Sequence, residues 1–566
     1  MRVPLRRALL AALLVALLAV PRLIAIDRFA TIDEPYWLTA GADFYYALGQ
    51  RAFANTVYDY HPAVTTMWVL AAAMLLYFPQ YRGLGQGYFD VYKDTLEQFL
   101  LAHGRTPLGL LTAGRIVQAL VIVALLLVLF WLLRRLLGNA TAWTATLLIG
   151  FDPFFLGHSR LLNHEGMLSL FVLISLLALL VRLRAGGRFA FVLLSGAAAG
   201  FAQLTKSSSV VLAPLVALLL LAELYRQREQ PWRVRLLRLA GQAGAWLGML
   251  ALVYVVFWPG MWVAPGEMLY QVFGNALSYA LEGSRLSVTG GIEPARSSLD
   301  LAAAFSLVPS MLWRTTPVAW LGLVLGFVAA IRQKGAVRAV FACALLISLA
   351  FLLMFGIAQG RDSAHYLLTA YAALDIMAAG GYVFGAAWLS GRLPRQAGRL
   401  AVPAVCAAVV VLQAASALPF FPYYYTYYNP LMEALQPDRQ NPSFGYGEGL
   451  ELAAAYLAKE PDAADTTVMV YDGFGPFSFF YPGNTEQLKR VYADAQNVPE
   501  LLRVLQRSKY VVLYYELQRE RNSPPNVMRA FAGLRPERSI WLNGIEYARI
   551  YRVDRLPAEF YAALQP

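Results

Sequence analysis

The sequence predicts a polytopic α-helical membrane protein of about eleven spans, followed by a small C-terminal soluble α/β domain. Three observations predict it. Apolar residues fill 58% of the 566 positions and charged residues only 14%, against roughly 45 to 50% apolar in soluble globular proteins. Uninterrupted apolar runs near the roughly 20 residues that cross a bilayer recur as far as Phe420. Beyond Phe420 the hydropathy falls, and helical and β-rich patches alternate. The chain therefore divides into a membrane domain, 1–420, with 27–108 as its first large loop, and a second domain, 421–566.

Candidate spans lie at 8–26, 109–133, 139–157, 166–181, 189–204, 209–224, 239–258, 307–331, 339–358, 366–389 and 400–418. Residues 1–26 have the outline of a signal peptide, with Arg2, Arg6 and Arg7 before a Leu/Ala run. The run is long and no clear small-residue cleavage site follows, so it reads as a retained first span. The apolar stretch 63–78 is short. Read as a re-entrant or interface-lying helix, it leaves Arg134-Arg135, Arg182, Arg184, the Arg226–Arg238 cluster, Arg332, Lys334 and Arg392–Arg399 together on the cytoplasmic side. That count puts the N-terminus inside and the C-terminal domain outside. The net charge of +12 is then a set of membrane anchors rather than a nucleic-acid surface. Cys343 and Cys406 lie in separate apolar runs, which argues against a disulfide framework or a zinc site.

Sidedness gathers the chemistry. Asp33-Glu34, His61, the segment His158 to Glu165, Lys206 and Arg361 to His365 all emerge on the outer side, as do all five histidines. A carrier more often places ionisable groups near the midplane of paired halves, and no internal repeat is visible. From Phe420 onward, Pro422 to Pro430 is a tyrosine-rich run suited to an interfacial belt. After it, 450–458 reads as helix, 466–471 and 508–515 as strands, and 540–551 as a hairpin around Asn543-Gly544.

The pair Asp33-Glu34 follows the first span, where carboxylates are costly unless they have a function. The alternative is a helix cap. As chemistry, one carboxylate takes a proton from an attacking hydroxyl and the other orients a group. Arg160, His164 and Glu165 form a short outer loop that offers a second acidic contact. Lys206 occupies a tight outer hairpin at headgroup depth, where a lone cation calls for an anionic partner. Arg361 and His365 add a second donor at that depth, and the fork of an Arg suits phosphate; snorkelling from helix ends is the alternative for both. His61, beside Pro62, is either a ligand contact or an interface turn. No metal-ligand spacing such as H-E-x-x-H occurs, so phosphate is assigned to Lys and Arg. A divalent cation is the less favoured choice.

Taken together, these residues resemble the polytopic GT-C glycosyltransferases related to protein O-mannosyltransferases and to the transferases that put aminoarabinose on lipid A. Asp33-Glu34 is similar to that family's acidic motif in its first outer loop. Tyr60-His61-Pro62-Ala63 stands where relatives have Lys-Pro-Pro, Arg160 to Glu165 resembles an Arg followed five residues later by Asp, and Leu204-Thr205-Lys206 matches a Leu-Thr-Lys hairpin. Arg361 to Tyr366 takes the place of a basic-Arg-Tyr-Leu-Leu-Pro element, with His365 replacing the Arg. Tyr427 to Leu431 and Phe444 to Leu450 resemble members with an outer C-terminal domain.

The resemblance implies transfer of a sugar from a polyprenyl phosphate to a hydroxyl acceptor on protein, lipid or glycan at the outer face of the plasma (inner) membrane, with inversion. Asp33 would be the general base. Lys206, Arg361, His365 and His61 would bind the donor phosphate, and Glu34, Glu165, His164 and Arg160 would orient acceptor or sugar. A flippase for lipid-linked sugar, without covalent chemistry, is the alternative from another class.

Overall fold

The computed structural model describes residues 2–58, 61–282, 305–357, 363–436, 445–471, 474–488, 498–514 and 525–564. Helix α1 (Arg2–Leu23) leads into the first-loop region, built of α2 (Glu34–Gln50), α3 (Val64–Tyr77) and α4 (Thr95–Ala102). The next helix, α5 (Pro107–Phe151), runs for 45 residues. If straight it would be about 68 Å long, over twice the roughly 30 Å hydrocarbon core. Gly138 divides it: at φ 84 and ψ 176 this residue leaves the helical region, a conformation glycine adopts without the penalty of a Cβ.

Helices α6 (Pro153–His158), α7 (Glu165–Arg184), α8 (Ala190–Thr205), α9 (Leu212–Arg226) and α10 (Trp232–Phe257) follow. Three short helices, α11 (Gly260–Val263), α12 (Pro265–Leu269) and α13 (Asn275–Glu282), lead to α14 (Val308–Arg314) and α15 (Pro317–Arg332). The membrane portion ends with α16 (Gly335–Ile357), α17 (Leu368–Ser390) and α18 (Arg395–Ala417). Helix α17 is central, packed on α5, α7, α15, α16 and α18.

Among the described residues, seven helices are long and apolar enough to cross a membrane, or eight if the bent pair α14 and α15 makes one span. The other three expected spans are α1, which carries Arg6, Arg7 and Arg22, the second arm of α5, and α8 with its 16 residues. Two expected spans are corrected. The span at 307–331 bends by 114° between α14 and α15. Thr316, extended at ψ 154 ahead of Pro317, caps α15 by accepting from the Ala319 amide at 3.1 Å; a residue before proline is driven out of the α region. The span at 139–157 breaks at Asp152, which precedes Pro153 and caps α6 through the Phe155 amide at 2.7 Å.

The tyrosine run after α18 is also corrected. It is not an exposed belt, since Tyr423, Tyr424, Tyr425, Tyr427 and Tyr428 are all buried. Several of their polar atoms have partners inside the protein: Tyr423 donates to Glu451 and Tyr425 to Glu448, while Arg314 donates to the carbonyls of Tyr425 and Tyr427. The run joins the helices to the last region.

That region holds helix α20 (Leu450–Leu457), preceded by the short α19 (Pro430–Leu435), and a five-stranded sheet of order β2-β1-β3-β5-β4. The strands are β1 (Thr467–Val470), β2 (Asn484–Gln487), β3 (Tyr510–Tyr514), β4 (Arg538–Leu542) and β5 (Ile545–Arg552). The pairs β1/β2 and β1/β3 are parallel, and β3/β5 and β4/β5 antiparallel. Strand β2, Asn-Thr-Glu-Gln on one edge, has no apolar alternation to betray it.

Burial pushes the carboxyls of Glu448 and Glu451 up to about 7, against hydrogen bonds from neighbouring hydroxyls and amides that pull the other way. Unfolded glutamates titrate near 4.5, so between these two values the native chain holds more protons and its stability falls as pH rises. Above about 7 the loss is complete. Protection of β3 and β5 amides against hydrogen exchange, corrected for intrinsic rates, is expected to be greater at pH 5 than at pH 8 by on the order of a few kcal/mol. Glu448→Gln with Glu451→Gln should flatten that dependence.

Candidate active site

The loop between α1 and α2 is held from below by a buried ion pair. Arg115, on α5, meets Glu34 as a two-pronged fork, Nε to Oε1 at 2.7 Å and Nη2 to Oε2 at 2.5 Å. Its remaining nitrogen donates to the carbonyls of Ile26 and Phe29, at 2.5 and 2.8 Å. Glu34 also accepts from the amides of Thr31 (2.7 Å) and Leu162 (2.8 Å). Both side chains are 1% exposed, and the carboxylate has its hydrogen-bonding capacity filled. Glu34 therefore ties α5, the loop before α7 and the start of α2 to one point.

Asp33 differs from its neighbour. It stands at the N-cap position of α2 yet makes no side-chain cap bond, and its Oδ2 accepts from the hydroxyl of Tyr446. Among the described residues no salt bridge takes it up. Solvent reaches Asp33, although neighbouring residues crowd its carboxylate. That crowding pushes its pKa up. Tyr446, His164 and Lys206 pull it back, and the charge of Glu34 adds to the rise.

Opposite Asp33, the first residue of α7 meets the residue that ends α8. The Lys206 ammonium pairs with Glu165, which also lies 3.5 Å from His164 Nε2. Lys206 is 1% exposed and stands 4.4 Å over the face of Tyr366, a placement that favours a cation. The α8 turn is fixed to α3 by the hydroxyls of Thr65 and Thr205, 2.8 Å apart. The Arg182 and Arg184 cluster lies at the far end of α7 from Glu165, so the two ends of this helix carry opposite chemistry.

Four of the five histidines meet here. His164 packs edge-on against Trp37 at 5.1 Å and beside His61 at 5.3 Å; His158 lies 5.7 Å from His365. His103 does not join them, stacking instead on Phe99 at 4.1 Å. Arg160 is buried, with its guanidinium spent on the carbonyls of Ile24 and Ala25 at 2.6 and 2.8 Å. Arg361 lies outside the described residues, as do Asp59, Tyr60 and Phe444. Among the described residues, no group of three or more His, Cys, Asp or Glu side chains is placed to hold a metal ion.

Sequence reasoning missed Arg115 and Tyr446. Arg115 did carry a signal, as a lone arginine inside the apolar run 109–133, where a charge calls for a partner. Tyr446 carried none beyond its place in a glycine-rich stretch.

A family model of dolichyl-phosphate-mannose-protein mannosyltransferases matches residues 109–261, the segment containing Arg115, Glu165 and Lys206. No curated protein sequence matches the chain. Among solved structures, apo ArnT from Cupriavidus metallidurans aligns at a TM-score of 0.50 and 14% identity, over 97% of this chain and 99% of that one. This chain has the GT-C fold. ArnT bound to undecaprenyl phosphate aligns at 0.49 and 14%, over 97% and 98% of the two chains. The archaeal oligosaccharyltransferase AglB from Archaeoglobus fulgidus, in complex with an inhibitory peptide and a dolichol-phosphate, aligns at 0.44 and 12%, over 89% and 70%. In this GT-C chain the matched segment supplies Arg115 and the Glu165–Lys206 pair, and the first loop supplies Asp33 and Glu34.

Proposed function

We propose that the chain is a membrane glycosyltransferase that moves a sugar from a polyprenyl-phosphate donor to a hydroxyl acceptor on the extracytoplasmic face, with inversion, and that Asp33 is the general base. One observation carries the reading: a carboxylate with no paired cation among the described residues stands where solvent reaches it, held by the Tyr446 hydroxyl and within electrostatic reach of His164 and the buried Lys206. The acceptor oxygen attacks the anomeric carbon as its proton passes to Asp33. The bond from that carbon to the phosphate oxygen breaks, and the polyprenyl phosphate leaves with the electron pair. A base beside the attacking group contributes about 10²- to 10⁴-fold, and preorganised cations favour the growing phosphate charge.

Lys206 keeps N–H donors beyond the one given to Glu165 and, with His365, His61 and Arg361, is assigned to that phosphate. Glu165, His164 and Arg160 bound the sugar side, Arg160 by holding the loop rather than by contact. Glu34 acts through its clamp on the Asp33 loop. A membrane-bound donor whose head reaches water explains a site at the helix ends. Undecaprenyl phosphate, the ligand named for ArnT of Cupriavidus metallidurans, is the probe for the lipid.

The deciding experiment incubates the purified full chain in lipid with a panel of polyprenyl-phosphate sugars and analyses the products. Transfer of sugar to an acceptor with release of the polyprenyl phosphate is expected. Movement of intact donor across the bilayer without cleavage would replace the transferase by a flippase. Lys206→Met paired with Glu165→Gln, which removes both charges together, should weaken undecaprenyl phosphate binding by about 10- to 100-fold. Unchanged binding would take Lys206 out of the phosphate site.

A further inference from the structure

We propose that the C-terminal region supplies a working part of the active site: Tyr446 holds Asp33 through its hydroxyl, and the buried Glu448 positions Tyr446. The proposal rests on reading Asp33 as the general base. The phenol donates to Oδ2 of a residue 413 positions earlier in the chain, leaving Oδ1 to face an acceptor hydroxyl.

The backbone around Tyr446 is built to hold that contact. The Ile32 amide donates to the Tyr446 carbonyl at 3.2 Å, so the strand of chain just before Asp33 and the one carrying Tyr446 are joined next to the phenol. The Tyr446 amide donates to Glu448 Oε2 at 2.6 Å, and the Gly447 amide to the Tyr514 hydroxyl at 3.0 Å. Gly447 has φ 106, and a Cβ there would meet the Ala30 carbonyl at 2.9 Å. The two loops thus touch as closely as backbone allows.

Glu448 is the hub. Its Oε2 accepts the Tyr446 amide and the Tyr425 hydroxyl (3.0 Å), with the Tyr514 hydroxyl 3.2 Å away. It is fully buried, and Tyr547, Glu451 and Tyr423 are further titratable groups facing it. On the other side, the rings of His158 and His365 each stand 6.2 Å from that of Tyr446.

A structural tether would need only contact. A phenol aimed at a carboxylate oxygen does more, because a hydrogen bond to the charged form makes that form easier to reach. It offsets the crowding of Asp33 and the neighbouring charge of Glu34; from α7 and α8, His164 and Lys206 act in the same direction as Tyr446. Without the phenol, Asp33 would keep its proton to higher pH and serve as a base over a narrower range.

The test reads Asp33 directly on the full chain in lipid. Carbodiimide with glycine ethyl ester labels protonated carboxyls, and mass spectrometry follows Asp33 labelling from pH 4 to 9. Tyr446→Phe keeps the ring and should move the labelling midpoint to higher pH by about one unit; an unmoved midpoint overturns the proposal. Glu448→Ala should move it the same way alone and add nothing in the Tyr446→Phe background. An additive effect would remove Glu448 as the positioning residue. With any donor that turns over, the acid limb of kcat/KM should follow the labelling midpoint. If no polyprenyl-phosphate sugar is transferred by the wild-type chain, the transferase reading fails, while labelling still decides whether Tyr446 governs Asp33.

Discussion

Asp33→Asn lowers turnover by about 10²- to 10⁴-fold while leaving the binding of undecaprenyl phosphate intact: this is the expected result with the greatest effect on activity. The amide preserves the shape of the side chain and can still accept from Tyr446, so the surrounding contacts survive. What it loses is the ability to take the acceptor's proton. Glu34 cannot substitute for it, since both its oxygens are occupied by Arg115 and by the amides of Thr31 and Leu162. Product analysis under single-turnover conditions checks the effect on chemistry, and a lipid-binding assay checks the rest. Retained turnover would remove Asp33 as the base.

The largest effect on stability is expected from Arg115→Met. The methionine fills much of the stem volume but leaves Glu34 as a buried, unpaired carboxylate and the Ile26 and Phe29 carbonyls without their donor. Breaking a buried pair on one side costs about 3 to 5 kcal/mol. Thermal unfolding of the purified chain should show the loss. The double variant Arg115→Met with Glu34→Leu should recover a substantial part of it, because removing both charges leaves neither one stranded. A recovery that fails would mean that Glu34 matters chiefly through its backbone partners.

The membrane class, the hairpin at Asn543-Gly544 and strands β1 and β3 were legible because each rests on a local pattern: apolar run length, turn chemistry and β-branched clusters. Two helix breaks were not foreseen although their signals were local too. Thr316-Pro317 and Asp152-Pro153 each carry a proline one residue past a capping side chain, hidden inside apolar runs that hydropathy alone reads as continuous. In the site, Asp33, Glu165, Lys206 and the histidines other than His103 could be grouped by counting charged loops. Their partners could not. Glu34 meets an arginine 81 residues away, Lys206 a carboxylate 41 residues away, and Asp33 a tyrosine 413 away; no periodicity records such distances. The tyrosine run misled for a related reason, since aromatic side chains with polar tips suit both a membrane interface and a buried hydrogen-bonded seam.

The contact between Tyr446 and Asp33 has a bearing on biosynthesis. Asp33 leaves the ribosome soon after the first helix, but its phenol partner follows only after α18, when every long helix has been made. A chain arrested midway through membrane insertion would hold the acid without its partner. With Asp33 as the proposed base, catalytic competence would be among the last properties the nascent polypeptide acquires.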